Sequence, residues 1–325
     1  MSDDKLLLSL VVPCCNEEEV LQNFYDTTLA VLNGMTELSY EFVFIDDGSK
    51  DKTLSIMKEL AKTDKNVRYI SFSRNFGKEA GILAGLRAAA GDYVVLMDAD
   101  LQHPPKYLPE MYDKLKDGKY DSVAMKRTHR KGEGLFRRLF SKMFFKLMTK
   151  LAENDIPEGA TDFRMMSRQF VDSVLSLTEY NRFTKGIFGW VGYETYWISY
   201  KDEQRAAGKS KWKSGSLFKY SIDGMVAFST KPLAFASAFG LLLFVLSTIT
   251  MLVFFIKTLI WGDPVAGFPT LICVILMMSG LQILFLGILG QYFAKAYMEV
   301  KGRPVYITKE SNLEKNENDK LSEEK

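Results

Sequence analysis

Residues 93–102 read YVVLMDADLQ, an apolar run that ends in two closely spaced carboxylates. Gly91 bounds the run, and its continuous apolar character predicts a buried β-strand. Asp98 and Asp100 follow at the strand's end, where α/β sheets bind ligands, so at least one should face the cleft. Carboxylates this close repel unless a cation or hydrogen-bond donors lie between them. The pair suits Mg²⁺ or Mn²⁺, because these cations often link protein carboxylates to substrate phosphates. An isolated Asp-x-Asp can also be a polar strand end or a helix cap.

The composition argues against several classes of protein. The 325 residues carry a net charge of +2, which gives no general case for nucleic-acid binding. His103 and His129 are the only histidines, so we expect neither a histidine metal cluster nor a Ser-His-Asp triad. The turn Pro13–Glu17 has no glycine and leads into acids, which argues against a Rossmann dinucleotide site, and no Walker A loop is present. The N-terminus lacks the apolar core of a signal peptide, which predicts a cytoplasmic N-terminal domain.

The N-terminal third alternates between predicted strands and helices. The predicted strands are residues 6–12, 41–45, 67–72 and 93–97, and the predicted helices include residues 51–61 and 79–90. This alternation predicts an α/β fold with a doubly wound, mainly parallel sheet, in which the carboxyl ends of the strands line the ligand crevice. Asn16 is predicted to cap a helix whose first turn holds Glu17–Glu19. Four polar loops fall at the crevice: Pro13–Glu17, Asp46–Asp47, Asn75–Lys78 and Asp98–Gln102.

Two stretches in the middle of the chain predict helices that lie in a membrane interface. Residues 134–151 read GLFRRLFSKMFFKLMTKL, in which aromatic and aliphatic residues recur at helical spacing, with basic residues and no acid between them. This pattern is typical of an amphipathic helix that faces anionic lipid, although a helix packed on the core with a basic outer face is an alternative. A second interfacial helix is predicted within residues 213–231.

Two uncharged stretches predict a transmembrane hairpin within residues 232–295. The spans cover about 233–256 and about 268–294, each long enough to cross a hydrocarbon core of about 30 Å. Basic residues concentrate at the outer ends, which places those ends, with a catalytic domain at 1–212, in the cytoplasm. Residues 296–308 are predicted to form a cytoplasmic segment with a short strand at Val305–Ile307. The charged residues 309–325 are predicted to be disordered.

Three motifs together resemble the family 2 glycosyltransferases of the GT-A fold. They are Val11-Val-Pro13-Cys-Cys15-Asn16-Glu17, Asp46-Asp47-Gly48-Ser49 and Asp98-Ala-Asp100-Leu-Gln102. A further element, Arg205-Ala-Ala-Gly208-Lys-Ser210-Lys211, is similar to the Arg-x-x-Gly-x-Ser-Lys of polyprenyl-phosphate glycosyltransferases. That group includes the GtrB-type bactoprenol glucosyltransferases and dolichol-phosphate mannose synthase. The resemblance covers roughly residues 5–307.

The resemblance implies roles for the matching residues. Pro13, Glu17 and Asp47 would hold the base and ribose of a nucleotide-sugar donor, with Asp46 nearby. Cys15 departs from the pattern, because many relatives carry there an aromatic residue that could stack on the base. The other donor-binding residues are Gly77, Lys78, Asp98, Gln102, Arg127, Arg205 and Lys211.

The catalytic centre implied by the resemblance combines a metal site with one further acid. Asp98, Asp100 and Gln102 would bind Mg²⁺ or Mn²⁺ together with the donor diphosphate. Asp162, in Thr-Asp-Phe-Arg, matches the acid that is the proposed base in the GtrB-type enzymes, where mannose synthases show Ser-Gly-Phe-Arg. A phosphate acceptor with a second pKa of about 6 needs little help from a base, so orienting the acceptor is an equal alternative. The third possible role of Asp162 is to cap the N-terminus of a helix that begins at Phe163.

These features predict a metal-dependent hexosyltransferase with several spans in the plasma or inner membrane. It would transfer, with inversion, one sugar from UDP-glucose or UDP-N-acetylglucosamine to undecaprenyl phosphate at the cytoplasmic face, for cell-envelope glycosylation. Arg138 and Lys142 are the candidate contacts of the acceptor phosphate, and we expect a homo-oligomer. One alternative is a processive polysaccharide synthase, which usually carries Gln-x-x-Arg-Trp and more membrane helices. A non-catalytic membrane scaffold that keeps the fold is the other.

Overall fold

The computed structural model describes residues 5–127, 157, 159–200 and 267–313, together with scattered residues between 233 and 260. These residues belong to two compact units. One contains the chain up to Leu217 and from Arg303 onward, and the other lies between Phe218 and Gly302. The first unit holds an eight-stranded sheet, and the second holds a long helix.

The sheet is mixed, with a parallel centre. Strands β1 to β8 are Leu6–Cys14, Leu38–Asp46, Val67–Phe72, Tyr93–Leu96, Ser122–Arg127, Ala160–Ser167, Thr195–Tyr200 and Thr308–Ser311. They lie in the order β7-β5-β6-β4-β1-β2-β3-β8. Strands β4, β1, β2 and β3 are parallel neighbours, and β5 pairs in parallel with β7. Strands β6 and β8 run antiparallel to their neighbours. The predicted α/β class with a mainly parallel sheet is confirmed.

Helices of the first unit cover both faces of the sheet. In this unit α1 to α6 are Leu21–Leu32, Thr53–Thr63, Lys78–Ala88, Leu108–Leu115, Arg168–Ser176 and Thr184–Trp190, and in the second unit α7 is Phe268–Val300. Successive residues of β1 point to opposite faces: Leu10 joins the core cluster around Phe24 and Phe44, whereas Val11 faces α3. Both Leu10 and Val11 are fully buried. Burial on two faces explains why these strands read as continuous apolar runs instead of alternating ones.

The predicted helix start at Asn16 is wrong. Helix α1 begins at Leu21, and its N-cap residue is Val20. Asn16 has a φ of 54°, a left-handed conformation that Asn tolerates better than most residues. Its side chain accepts a hydrogen bond from the N–H of Lys50 at 2.8 Å, and its own N–H donates to the Ser49 hydroxyl at 2.9 Å. Asn16 therefore ties the loop after β1 to the loop after β2.

Helix α3 lies very close to the sheet because glycines face it. A Cβ atom added at Gly85 would lie 2.2 Å from Cγ1 of Val11 and 2.7 Å from Cδ1 of Ile45. A Cβ atom added at Gly81 would lie 3.3 Å from Cβ of Pro13. This close approach fixes the N-terminus of α3 at the carboxyl ends of β1 and β2.

The substitution Gly85→Ala is expected to destabilise the protein by about 1–3 kcal/mol. The added methyl group must push aside neighbouring side chains and backbone in a packed core, which costs free energy of that size. Denaturant unfolding of the purified protein measures the change. Ser55→Ala is the control, since Ser55 is exposed on α2 and should change stability by less than about 0.5 kcal/mol. Equal stability of the Gly85→Ala variant and the wild type would contradict the close packing of α3.

The C-terminal strand β8 closes one edge of the sheet. It pairs with β3, with Ile70 opposite Ser311. The Asn312 side chain extends the pairing, accepting from the N–H of Tyr69 at 2.7 Å and donating to the carbonyl of Val67 at 3.0 Å. The prediction of a disordered tail is therefore wrong for residues 309–313, and the strand predicted at 305–307 lies at 308–311. Residues 314–325 lie outside the described residues.

The long helix α7 is the main element of the second unit. It has 33 residues and is about 50 Å long at 1.5 Å per residue. Its segment Met277–Val300 is, within the part of the chain that the structure describes, the one helix long and apolar enough to cross a membrane. Much of the predicted span 268–294 coincides with this segment. Half of the residues of the predicted span 233–256 lie outside the described residues, as do all residues of the predicted interfacial helices at 134–151 and 213–231.

Candidate active site

Lys78 lies between two of the predicted site carboxylates. Its Nζ is 2.6 Å from Oδ1 of Asp98 and 2.7 Å from Oδ2 of Asp162. Asp98 follows β4 and Asp162 lies in β6, and the pairing of Leu96 with Arg164 brings both to the same end of the sheet. The Asp98 side chain is 30% exposed and the Asp162 side chain 19%. The structure therefore brings three predicted site residues into one ionic cluster at the rim.

The position of Asp162 excludes one of its three predicted roles. The residue lies within strand β6, and the following helix α5 begins only at Arg168. The cap of α5 is Ser167, whose side chain accepts from the N–H of Phe170 at 3.3 Å. The helix-cap interpretation of Asp162 is therefore wrong.

Two residues that the sequence analysis missed complete the cluster. Nζ of Lys185, in α6, is 3.7 Å from Oδ1 of Asp162. Nδ1 of His103 accepts a hydrogen bond from the N–H of Asp98 at 3.4 Å, and its ring stacks on Phe163 with 5.3 Å between centroids. His103 directly follows the DADLQ motif, which is a signal that could have identified it. Lys185 has no local signal, because α6 is distant in sequence from the other site loops.

The lysines determine the charge state of the carboxylates. Burial alone would raise the pKa of Asp162, but Lys185 and Lys78 outweigh it and hold that pKa well below its usual range. Burial likewise opposes ionisation of Asp98, and the adjacent Lys78 ammonium more than offsets it, so the pKa of Asp98 is lowered. Both carboxylates are therefore ionised at neutral pH.

A second group of predicted residues surrounds Asp100. Its Oδ1 accepts a hydrogen bond from the N–H of Gln102 at 3.1 Å, and Oε1 of Gln102 accepts from Nη2 of Arg127 at 3.2 Å. Nε of Arg127 donates to the hydroxyl of Tyr200 at 3.1 Å, a partner that the sequence analysis did not predict. Leu101 has a φ of 57°, which is strained for a branched side chain and is typical of functional loops. This turn lies within the Asp100 group, between Asp100 and Gln102.

Asp47 holds the loop after β3. Its Oδ1 accepts from the N–H of Phe76 at 2.6 Å and its Oδ2 from the N–H of Gly77 at 3.0 Å. Only 4% of Asp47 is exposed. Gly77 has a φ of 98°, which glycine adopts readily, and Lys78 follows it as the first residue of α3. Asp47 thus shapes the loop that presents Lys78, a different role from the base and ribose contact implied by the resemblance.

The other predicted donor-side residues lie around the same rim. The carboxylate of Asp46 is buried and accepts from the Ser71 hydroxyl at 2.7 Å, so it links β2 to β3. Pro13 and Glu17 are half-buried, and the N–H of Glu17 donates to the Thr53 hydroxyl at 2.8 Å. Four predicted site residues lie outside the described residues: Arg138, Lys142, Arg205 and Lys211.

The oxygen groups near Asp100 fit a divalent cation that shares its coordination with a phosphate ligand. Within residues 5–127, 159–200 and 267–313, no group of three or more His, Cys, Asp and Glu side chains could hold a metal by itself. Mg²⁺ sites in nucleotide enzymes typically need only one or two carboxylates, because substrate phosphates and water supply the rest. Asp98, Asp100 and Gln102 offer the hard oxygen atoms that such a site requires.

The family now follows from comparison with known proteins. The sequence pattern of Glycosyl transferase family 2 matches residues 9–175, which run from within β1 to within α5 and include Lys78, Asp98 and Asp162. The chain belongs to glycosyl transferase family 2. The resemblance deduced from the three sequence motifs is confirmed.

This family 2 glycosyltransferase has relatives over nearly its whole length. It is 42% identical over 307 residues to the putative glycosyltransferase CsbB of Bacillus subtilis (strain 168), covering 94% of this chain and 92% of the relative. It is 41% identical over 305 residues to the bactoprenol glucosyl transferase of Shigella phage SfII, covering 94% and 98%. Glucosyl-3-phosphoglycerate synthase of Mycobacterium tuberculosis, crystallised with Mn²⁺, UDP-glucose and phosphoglyceric acid, has a TM-score of 0.48 and 20% identity, covering 68% of this chain and 78% of that one.

Proposed function

We propose that this family 2 glycosyltransferase transfers one sugar from a nucleotide-sugar to a polyprenyl phosphate. The main support is the 41% identity to a bactoprenol glucosyl transferase over 94% of the chain. Because that identity extends beyond residues 9–175, it includes the C-terminal region with α7 and not the catalytic domain alone. UDP-glucose or UDP-N-acetylglucosamine is the proposed donor, and undecaprenyl phosphate the proposed acceptor.

The donor diphosphate is proposed to lie beside Asp100, Gln102 and Arg127. The Arg127 guanidinium, 3.2 Å from Gln102, supplies the charge-assisted hydrogen bonds that favour phosphate oxygens. Arg205 and Lys211 would add positive charge from a loop that closes over the donor. A divalent cation, Mg²⁺ or Mn²⁺, held by Asp100 with Asp98 and Gln102, would neutralise charge that develops on the departing nucleoside diphosphate.

The base and ribose of the donor are proposed to lie at the half-buried Pro13 and Glu17. Cys15 offers no aromatic ring for the base, so stacking contributes less here than in relatives with an aromatic residue. Asp46 and Asp47 would support this nucleotide site indirectly, because their buried hydrogen bonds fix the loops after β2 and β3.

Asp162 is proposed to orient the acceptor instead of removing a proton. Lys78 lies 2.7 Å from its Oδ2 and Lys185 3.7 Å from its Oδ1, and a carboxylate flanked in this way is a weak base. The acceptor phosphate, with a second pKa of about 6, is largely dianionic near neutral pH and needs no base. Its attack opposite the leaving diphosphate inverts the anomeric centre. Arg138 and Lys142 would contact its phosphate from the interfacial helix.

The membrane is the proposed site of the reaction. Helix α7 and the proposed span 233–256 would form a hairpin whose two ends lie in the cytoplasm, with residues 134–151 at the lipid interface. This arrangement would hold the catalytic domain at the cytoplasmic face of the plasma or inner membrane, where a lipid-linked phosphate can reach it. We propose a homo-oligomer in the membrane.

A donor screen tests the proposal. The purified protein is expected to form a lipid-linked monosaccharide from UDP-glucose or UDP-N-acetylglucosamine and a short-chain polyprenyl phosphate, in the presence of Mn²⁺ or Mg²⁺. The matched control acceptor is the polyprenol without phosphate, which should give no product. Polymeric product would indicate a processive synthase. A protein that neither transfers nor hydrolyses any nucleotide-sugar would behave as a scaffold and overturn the proposal.

A further inference from the structure

Lys78 occupies a position that helix electrostatics disfavour. It is the first residue of α3, where the helix dipole carries partial positive charge and repels a cation. The energy that keeps its ammonium group there must therefore come from outside the helix. The two carboxylates of Asp98 and Asp162 supply it, at 2.6 Å and 2.7 Å from Nζ.

The same two carboxylates would repel each other without Lys78. Asp162 lies in β6 and Asp98 follows the adjacent antiparallel strand β4, so the pairing of Leu96 with Arg164 leaves both carboxylates at the same end of these strands. Asp98 belongs to the proposed donor side and Asp162 to the proposed acceptor side. The ammonium group is thus the direct ionic link between the two halves of the site.

A second set of contacts joins the start of α3 to the start of α6 beside Asp162. Glu79, the residue after Lys78, accepts from the N–H of Thr184 at 2.8 Å and also from its hydroxyl. Lys185, the residue after Thr184, lies 3.7 Å from Asp162. Two consecutive residues at the start of α3 therefore meet two consecutive residues at the start of α6, with Asp162 between them.

We propose that Lys78 is a positioning residue that holds Asp98 and Asp162 in one fixed geometry, and is not a ligand of the donor phosphates. This assignment rests on the proposed transfer reaction for its catalytic consequence. It differs from the donor-binding role implied by the resemblance, because the ammonium group is already shared between two carboxylates. Lys78 acts through Asp162 on the acceptor step and leaves nucleotide binding to Arg127 and the Asp100 group.

The substitution Lys78→Met keeps the length of the side chain and removes its charge. We expect kcat for sugar transfer to fall about 100-fold, which is the usual scale for a misplaced catalytic group. The affinity for UDP, measured by calorimetry without divalent cations so that Asp98 cannot contribute as a metal ligand, should stay unchanged. Lys78→Arg should recover part of kcat, because the guanidinium keeps the positive charge but is planar and spreads that charge over a larger group than the compact ammonium. Lys62→Met is the matched control, since Lys62 is an exposed lysine paired with Glu59 on α2.

A double-mutant cycle separates positioning from direct binding. If Lys78 acts through Asp162, adding Lys78→Met to Asp162→Asn should cause little further loss of kcat. Full additivity, or a parallel loss of UDP affinity in Lys78→Met measured without divalent cations, would overturn the proposal and return Lys78 to the donor site. An unchanged kcat in a folded Lys78→Met variant would overturn it as well.

A structural readout keeps this test independent of the transfer reaction. In a structure of Lys78→Met without substrate, the separation of the Asp98 and Asp162 carboxylates should increase relative to the wild type, because nothing neutralises their repulsion. An unchanged separation refutes the positioning role even if the enzyme transfers sugar. Absence of transfer by the wild type, with a widened pair in the variant, would instead refute only the proposed acceptor chemistry.

Discussion

Sugar transfer by the Asp100→Asn variant is expected to fall about 10²–10³-fold while the fold stays intact. A loss of this size is typical when one group that stabilises the charge of the transition state is removed. Asn lacks the charge that a divalent cation requires, but its Oδ1 can still accept the hydrogen bond from the N–H of Gln102. The loop should therefore keep its shape. Initial rates of lipid-linked product with saturating Mn²⁺, together with the unfolding temperature, measure the two effects separately.

The matched control is Asp113→Asn, because Asp113 is an exposed carboxylate on α4 that pairs with Lys116 at 2.7 Å. It should transfer sugar at the wild-type rate. Removal of divalent cations from the wild type with a chelator should mimic Asp100→Asn and be reversed by added Mn²⁺ or Mg²⁺. A wild-type rate in chelator would contradict the assignment of Asp100 to a metal.

The substitution Asp162→Asn is expected to lower transfer about 100-fold without weakening UDP binding, since a misplaced group affects the reaction more than the ground state. The neutral amide no longer attracts Lys78 and Lys185, so both sides of the acceptor site loosen. Rates and UDP affinity are measured on the same preparation. Asp172→Asn is the control, because Asp172 is an exposed carboxylate on α5, 3.7 Å from Arg168.

The pH dependence of the wild type distinguishes an orienting carboxylate from a base. A general base titrates near the working pH, and the rate would then rise with pH through its pKa. The pKa of Asp162 is held well below its usual range by Lys185 and Lys78 against the effect of burial, so the residue stays ionised throughout the neutral range. We expect kcat to be flat between about pH 7 and 8.5, where the acceptor phosphate is already dianionic. A rise over that interval that disappears in Asp162→Asn would restore the role of base.

The rim of the site could be predicted from sequence because one rule governs it. Parallel strands place their carboxyl ends together, so polar residues that follow successive apolar runs must meet. Asp98, Asp100 and Gln102 were found in this way, and the structure adds Arg127 to the same group, as the resemblance implied. The rule says which residues share an edge, but it does not say which side chains touch.

The contacts that escaped prediction depend on distance and backbone conformation. Lys78 was assigned to the donor because no sequence rule shows that its Nζ reaches Asp162 across two strands. Asn16 was taken for a helix cap because a left-handed residue and a cap share the same preference for Asn. Lys185 comes from a short helix after β6, where spacing carries no information about the cleft.

Strand β8 was misplaced for a different reason. Its residues Thr308–Ser311 are polar and charged, so neither a periodic pattern of apolar residues nor hydrophobicity distinguishes them from the charged sequence that follows. The strand is defined instead by backbone pairing with β3, by Asn312, and by the ion pair between Lys58 and Glu310 at 2.8 Å. Edge strands of this kind are specified by their partner more than by their own sequence.

The position of β8 along the chain has a consequence for biosynthesis. Strand β7 ends at Tyr200 and β8 begins at Thr308, and α7 is synthesised between them. A ribosome must therefore translate the whole apolar segment before the outer edge of β3 can be covered. Until then the nascent domain exposes an open row of backbone donors and acceptors, which is a template for aggregation. Chains that stall before residue 308 should thus keep this edge exposed, and a complete eight-stranded sheet exists only in molecules in which α7 has already been synthesised.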